Sequence, residues 1–250
     1  MNATTLGIDL SADPTKTAVC SIDWRDDGKG EIILLRKGSK QNPWNDEALL
    51  AIIETSDKAG IDAPFGWPMP FVDEVKGWMS KSKTPGEPFS ADSFEKFRLR
   101  KTDLRIEKPR RPLSVSSDRI AVTAMRCARL ISATGNVDRT GAKGKLMEIY
   151  PASALSFWGL RGEGYKDGKR QEREELMTDL SKQLNKVCRL SSEHIDECVK
   201  HHDCLDALIA SLVVRAFLLG QTSTPESQDE KAAAPTEGWL HVPTCQLSEF

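Results

Sequence analysis

Five acidic residues of this chain lie in or beside apolar segments, where an isolated charge is costly to bury. They are Asp9, Asp62, Glu148, Asp203 and Asp206. A buried carboxylate is stable when it is paired with a cation or bound to a metal ion. Three or four carboxylates at one point can hold two cations about 3.5–4 Å apart, which act together on a phosphate group. The acidic residues therefore indicate one shared metal site.

The elements expected to carry these residues bring four of them together. Asp9 ends the first predicted strand and Asp62 ends the fourth. Asp203 and Asp206 are three residues apart in a long apolar helix, so their side chains emerge on nearly the same face. Three of these acids also have a structural alternative to metal binding. Asp9 and Asp62 could each form a turn, and Asp203 could cap the helix. We expect Asp9, Asp62, Asp203 and Asp206 to be metal ligands.

Four further residues are candidates for catalysis or substrate binding. Glu148 precedes Tyr-Pro at the end of a predicted strand, where it is either a ligand or base of the site or the partner of a structural arginine. Arg100 and Asp103 form either a helical ion pair or a phosphate-binding pair, since a guanidinium matches phosphate geometry. Lys166 is either solvated or in contact with phosphate. We therefore expect Asp9, Asp62, Glu148 and Asp206 in catalysis, and the other three in substrate binding.

The periodicity of apolar residues predicts one α/β domain over residues 1–250. An opening three-stranded meander is followed by short buried strands alternating with helices. A proline-rich and aromatic segment at 67–112 is expected to form an insertion over the site, and 221–236 a flexible loop before a carboxyl-terminal edge strand. The predicted strands are 4–10, 17–24, 31–36, 59–62, 146–150 and 237–243.

Composition excludes several classes of protein. Hydrophobic residues make up 39% and charged residues 29% of the 250, which is typical of a soluble globular chain. The longest apolar stretch, 208–219, is too short to span a bilayer, and the amino terminus lacks a basic segment followed by an apolar one. The six cysteines have no disulfide-scaffold spacing. We expect no membrane association and a reducing, cytoplasmic location.

The net charge of −2 hides an uneven distribution. Residues 96–129 contain eleven Lys or Arg and three acids, a local charge of +8. Such a segment can bind a polyanion, so we expect nucleic acid as the partner. A second cluster, rich in histidine and cysteine at 194–204, has no regular CxxC or HxxxH pairing, which favours buried thiols over structural zinc.

Taken together, the motifs resemble the RNase H-like superfamily and, more closely, the family called domain of unknown function 429. The resemblance implies a mixed five-stranded sheet flanked by helices, with Mg²⁺ or Mn²⁺ held by acids of the first strand, the fourth strand and a late helix. It also implies a predicted nuclease activity. The motifs that carry it are Gly7-Ile8-Asp9, Ile61-Asp62-Ala63-Pro64-Phe65-Gly66, Arg100-Lys101-Thr102-Asp103, Glu148-Ile149-Tyr150-Pro151, Gly164-Tyr165-Lys166, Asp203-Cys204-Leu205-Asp206-Ala207 and Glu237-Gly238-Trp239.

The leading hypothesis is a metal-dependent nuclease or phosphodiesterase with a two-metal mechanism. One alternative is an actin-like or sugar-kinase-like ATP phosphotransferase, since Asp9 is followed by a small Thr-containing segment. The sequence lacks the second phosphate loop and the Gly-rich adenosine segment of those proteins. The other alternative is a non-catalytic nucleic-acid-binding protein of the same fold.

Overall fold

A mixed β-sheet with helices on both faces forms the centre of the molecule. The computed structural model describes residues 2–80, 89, 94–135 and 137–250. The sheet has six strands in the order β3-β2-β1-β4-β5-β6. The strands are β1 (Ala3–Asp9), β2 (Ala18–Trp24), β3 (Gly30–Lys37), β4 (Lys58–Ile61), β5 (Leu146–Ile149) and β6 (Leu240–His241).

The first three strands form an antiparallel meander, as their turn signals predict. From β1 the sheet continues through β4, β5 and β6 with parallel pairing, so the carboxyl ends of these strands share one edge. The helices are α1 (Asp46–Thr55), α2 (Met69–Met79), α3 (Phe94–Arg98), α4 (Lys101–Leu104), α5 (Ala121–Ala133), α6 (Pro151–Phe157), α7 (Arg170–Leu184), α8 (Ser192–Lys200), α9 (His202–Leu218) and α10 (Gln228–Glu237).

Two apolar clusters hold the layers together. On one face of the sheet, α6, α7, α8 and α9 pack against side chains of β2 and β5. On the other face, α1 and α5 pack against β1 and β4. Helix α9 is the central helix, with every residue from Asp203 to Ala216 buried. Its position across the sheet decides where its acidic residues lie.

Two predictions about the carboxyl-terminal part are corrected. The sheet has six strands, not five, because Leu240 and His241 pair with Glu148 and Ile149 of β5. Residues 228–236, part of the predicted loop 221–236, lie in α10. The helix starts with a capping box, in which Ser227 and Glu230 satisfy each other's backbone amides. A capping box does not require large apolar residues. The absence of such residues from this segment is what favoured a loop in the sequence analysis.

The segment 67–112, predicted to be an insertion, contains α2, α3 and α4. Residues 81–88 and 90–93 of that prediction lie outside the described residues. In the described part of the chain, no helix is both long and apolar enough to cross a membrane.

Candidate metal centre

Two Gly-Ile-Asp sequences lie side by side on neighbouring parallel strands. The register of β1 and β4 places Gly7 opposite Gly60, and the amide of Asp62 donates to the carbonyl of Ile8 over 2.9 Å. Side chains alternate between the two faces of a strand, so Asp9 returns to the face of Gly7. The carboxyl edge of the sheet therefore presents two aspartates at adjacent strand ends.

The glycines allow α9 to lie against these strands. A Cβ on Gly7 would stand 2.0 Å from the carbonyl oxygen of Ala207, and one on Gly60 would stand 2.8 Å from a methyl carbon of Val214. Neither distance is possible for real side chains, so both positions require glycine for close helix–strand contact. This contact brings Asp206, the residue before Ala207, to the edge where the strands end.

Asp206 completes a group of three carboxylates. One oxygen from each of Asp9, Asp62 and Asp206 lies within 4.8 Å of the other two. Asp206 is fully buried, whereas Asp9 and Asp62 are partly buried. No other group of three possible ligands occurs among the described residues, so the His- and Cys-rich segment 194–204 does not form one there. All six cysteines are buried and unpaired with one another, as expected.

Two neighbouring residues of one loop contact Asp206. The hydroxyl of Tyr165, which is buried, donates to Asp206 Oδ1 over 2.6 Å. The Nζ of Lys166 lies 2.8 Å from Asp206 Oδ2, and its side chain is 48% exposed. Lys166 was predicted to bind substrate, and the structure places its ammonium beside Asp206.

The three aspartates have too little positive charge nearby to compensate their negative charges. Burial raises the pKa of Asp9 well above its usual value, and the neighbouring Asp206 and Asp62 raise it further. Burial also raises the pKa of Asp62 to about 7, although Lys166 opposes this shift. The carboxylate of Asp206 is the main cause of a raised pKa at Lys166. Additional positive charge would therefore stabilise the ionised group.

The donor set suits a hard divalent cation. Mg²⁺ prefers carboxylate oxygens at about 2.1 Å, so that ligands on opposite sides of the ion are about 4.2 Å apart. Adjacent ligands of such an ion are about 3 Å apart, and the three aspartate oxygens lie within 4.8 Å of one another, slightly wider than the bound arrangement. The Lys166 ammonium shows that the group accepts a cation. Asp9, Asp62 and Asp206 can therefore hold a divalent cation.

Asp203 is not part of the group, contrary to the prediction from its spacing. Its carboxylate forms an ion pair with Lys37 at the end of β3, and its Oδ1 lies 3.4 Å from Nε2 of His202. Asp203 lies in the first turn of α9, one turn before Asp206. Because α9 also packs against β3, this turn meets Lys37 rather than the ends of β1 and β4.

Glu148, Arg100 and Asp103 form a buried ion cluster, which is the structural alternative considered for each of them. Both oxygens of Glu148 accept from Arg100, over 2.6 and 2.8 Å, and Asp103 accepts from the same guanidinium over 2.8 and 3.0 Å. The fifth N–H of Arg100 donates to the carbonyl of Glu237. All five donors are used and Arg100 is 1% exposed, so none remains for a phosphate. The structural arginine considered for Glu148 is Arg100.

A cavity of about 610 Å³ lies over the carboxyl edge of the sheet. Asp9, Asp62 and Lys166 line it on one side. Most of the rest of its lining comes from residues 110–123, 148–152 and 162–169, together with Arg100 and Leu240. Two of these segments meet where Arg110 lies 3.7 Å from Glu163. This volume is within the range of small-molecule and nucleotide sites. The part of the predicted insertion that reaches the site is its carboxyl-terminal end.

Most of the basic segment 96–129 is neutralised within the fold. Eight of its eleven cations contact carboxylates of the described residues; they are Arg98, Arg100, Lys101, Arg105, Arg110, Arg111, Arg126 and Arg129. Arg110 and Arg119 line the cavity. Within the described part of the chain, Arg119 has no carboxylate at ion-pairing distance. The other two cations of the segment without such a pair in the described part of the chain, Lys96 and Lys108, do not line this cavity.

A comparison with known families decides where this chain belongs. A family model described as "Protein of unknown function (DUF429)" matches residues 7–230. The chain belongs to the DUF429 family. Neither the search of curated proteins nor the search of solved structures gave a match. The family match includes all three aspartates of the candidate site and ends within α10, before β6.

Sequence reasoning missed three residues at the site of this DUF429 chain. Tyr165 supports Asp206, Lys37 holds Asp203, and Arg119 lines the cavity. The tyrosine adjoins Lys166 in a segment between two glycines, which is a weak signal for a buried residue. Lys37 and Arg119 are ordinary surface-type residues in sequence, so only the packing of distant elements gives them a role.

Proposed function

We propose that this DUF429 protein is a Mg²⁺- or Mn²⁺-dependent phosphodiesterase of RNase H-like fold that hydrolyses phosphodiester bonds of nucleic acids. One observation carries the proposal. One oxygen from each of Asp9, Asp62 and Asp206 lies within 4.8 Å of the other two, and Asp9 and Asp62 line the cavity. Three carboxylates that share one point and lie beside a nucleotide-sized cavity are suited to metal-assisted phosphoryl transfer.

The arrangement of elements supports the RNase H-like assignment. That superfamily holds its metal with acids of the first strand, the fourth strand and a late helix. Here Asp9 ends β1, Asp62 follows β4 and Asp206 lies in α9. The neighbouring positions of β1 and β4 in the sheet explain why acids 53 residues apart in sequence meet.

Each group has a distinct role in this proposal. Asp9, Asp62 and Asp206 hold the cation, and the raised pKa of Asp62 means that the site is fully ionised only when a cation or a high pH favours the carboxylates. A bound divalent cation supplies Lewis acidity toward the phosphodiester. Arg110 and Arg119, at the cavity wall, contact the phosphates of the substrate strand.

The test is a cleavage panel with Mg²⁺ and with Mn²⁺ over single-stranded, duplex, hybrid and branched nucleic acids. Asp9→Asn should abolish cleavage while the circular dichroism spectrum and thermal unfolding remain those of a folded protein. Asp179→Asn, on the exposed surface of α7, is the matched control and should cleave like the wild type. Substrate binding should weaken steeply with salt.

Retained cleavage by a folded Asp9→Asn protein would rule out the proposed site. Binding of nucleic acid without any cleavage or any uptake of divalent cation would favour the non-catalytic alternative.

A further inference from the structure

We propose that the site takes up one divalent cation per chain, and that the Lys166 ammonium supplies the second positive charge next to the substrate phosphate. This inference rests on the proposed function. It replaces the two-metal mechanism that the sequence analysis favoured with a mechanism that uses one metal ion and Lys166. It assigns Lys166 a place among the catalytic groups, in contact with the reacting phosphate, in addition to its contact with Asp206.

The first argument is the number of carboxylates that have no cation of their own. Two of the five acids predicted for the site have a cation of their own. Lys37 pairs with Asp203, and Arg100 pairs with Glu148 as well as with Asp103. Three aspartates remain, and the ammonium of Lys166 contacts one of them, Asp206. When all are ionised, they leave two negative charges. One divalent ion neutralises this charge, whereas two would leave the site with a net positive charge in a partly buried position.

The second argument is the fixed position of the Lys166 backbone. Arg173 of α7, which is 7% exposed, donates to the carbonyl of Tyr165 over 2.7 Å and to that of Lys166 over 3.2 Å. The same guanidinium donates to the carbonyl of Val199 over 2.7 Å. The buried Tyr165 ring ties the loop to α9 through its bond to Asp206. Lys166 is thus directed at the aspartates by anchored neighbours on both α7 and α9.

The third argument is access. The Lys166 side chain lines the cavity and remains 48% exposed, although its ammonium contacts the fully buried Asp206. A lysine whose role was only to neutralise a buried carboxylate would not have to be exposed to the cavity. From this position the ammonium can contact the carboxylate and a phosphate oxygen together, since it has three donors.

The experiment counts Mn²⁺ ions bound per chain, using isothermal titration calorimetry and, independently, electron paramagnetic resonance of the Mn²⁺ left in solution. The wild type should bind one. Lys166→Met should bind its first Mn²⁺ about tenfold more tightly, because a like charge has been removed a few ångströms away, and should lose cleavage. Lys166→Arg should keep one Mn²⁺ and recover part of the cleavage. Lys182→Met, an exposed lysine of α7, should match the wild type in both measurements.

The outcomes separate this inference from the proposed function. Two Mn²⁺ per wild-type chain, or full cleavage by Lys166→Met, would overturn the role of Lys166 and leave a metal-dependent phosphodiesterase. No bound Mn²⁺ at millimolar concentration would overturn both.

Discussion

Lys37 holds Asp203 in an ion pair at the end of β3, one helical turn away from the aspartate that joins the metal site. The two acids of α9 therefore have different roles despite their i, i+3 spacing. Asp206 faces the ends of β1 and β4, and Asp203 faces a lysine of the antiparallel meander.

This difference predicts unequal effects of matched substitutions. Asp206→Asn should weaken Mn²⁺ binding by at least about 100-fold, because one of three ligands loses its charge. Asp203→Asn should change Mn²⁺ affinity less than about threefold, since its carboxylate is already paired with Lys37 and lies one turn of α9 away from Asp206. Calorimetric titration of both variants measures the difference. Equal losses of affinity would place Asp203 in the metal site.

The glycine of the first motif is expected to be essential for packing. Gly7→Ala should lower the free energy of unfolding by at least about 1–3 kcal/mol, because the new Cβ would lie 2.0 Å from the backbone of α9 and force the helix away. Mn²⁺ affinity should fall as well, since Asp206 moves with the helix. Urea unfolding and calorimetry measure the two effects.

Gly135→Ala is the control for glycine loss without a clash. It has a φ of 72° and no atom within 4 Å of its Cβ position, so backbone strain of about 1–2 kcal/mol is the expected cost, with unchanged Mn²⁺ affinity. If Gly7→Ala behaved in the same way, close contact between β1 and α9 would not be what positions Asp206.

The buried ion cluster is expected to stabilise the fold rather than to bind substrate. Arg100→Met should lower the free energy of unfolding by about 3–5 kcal/mol, because Glu148 and Asp103 would remain buried without a counter-charge. Arg105→Ala, which breaks pairs with the exposed Glu226 and with Glu230, should cost less than about 1 kcal/mol. A small loss for Arg100→Met, accompanied by weaker substrate binding, would restore the phosphate-binding role.

The raised pKa of Asp62 predicts a pH dependence of the metal-free protein. Its pKa is about 7 in the folded chain against an ordinary value of 3.8, so the folded state holds a proton between these values that the unfolded state has lost. The free energy of unfolding should therefore fall as pH rises from about 4 to about 7 through this group. The free energy of unfolding of Asp62→Asn should fall less over the same pH range.

Urea unfolding at several pH values in the presence of a chelator measures this slope. Saturating Mg²⁺ at pH 7.5 should raise the stability of the wild type, because the cation binds the ionised form, and should raise that of Asp62→Asn much less. Parallel pH profiles for the two proteins would mean that Asp62 ionises normally in the fold.

Much of the fold followed from local patterns. Apolar runs that end in turn signals predict five of the six strands within a few residues of their observed bounds, and the predicted edge strand 237–243 contains the shorter β6. Gly220 follows the end of α9 as expected. The spacing of apolar residues and the position of turn-forming residues depend only on neighbouring residues, so they can be found in a single sequence. The bounds of β6 and the presence of the polar α10 were not predicted, because they depend on pairing with β5 and on a capping box rather than on an apolar pattern.

The sequence by itself determined which residue types were available for a metal site, and it placed Asp9 and Asp62 at strand ends where an uncompensated acid is unusual. Tertiary structure alone decided which acids meet. Asp203, Asp206 and Glu148 are all acids beside apolar segments, and nothing in their local sequence shows which of them has a cation nearby. That choice depends on Lys37, Arg100 and Lys166, which come from distant segments. Electrostatic energy depends on distance in space, and distance in space is fixed only when the helices pack on the sheet.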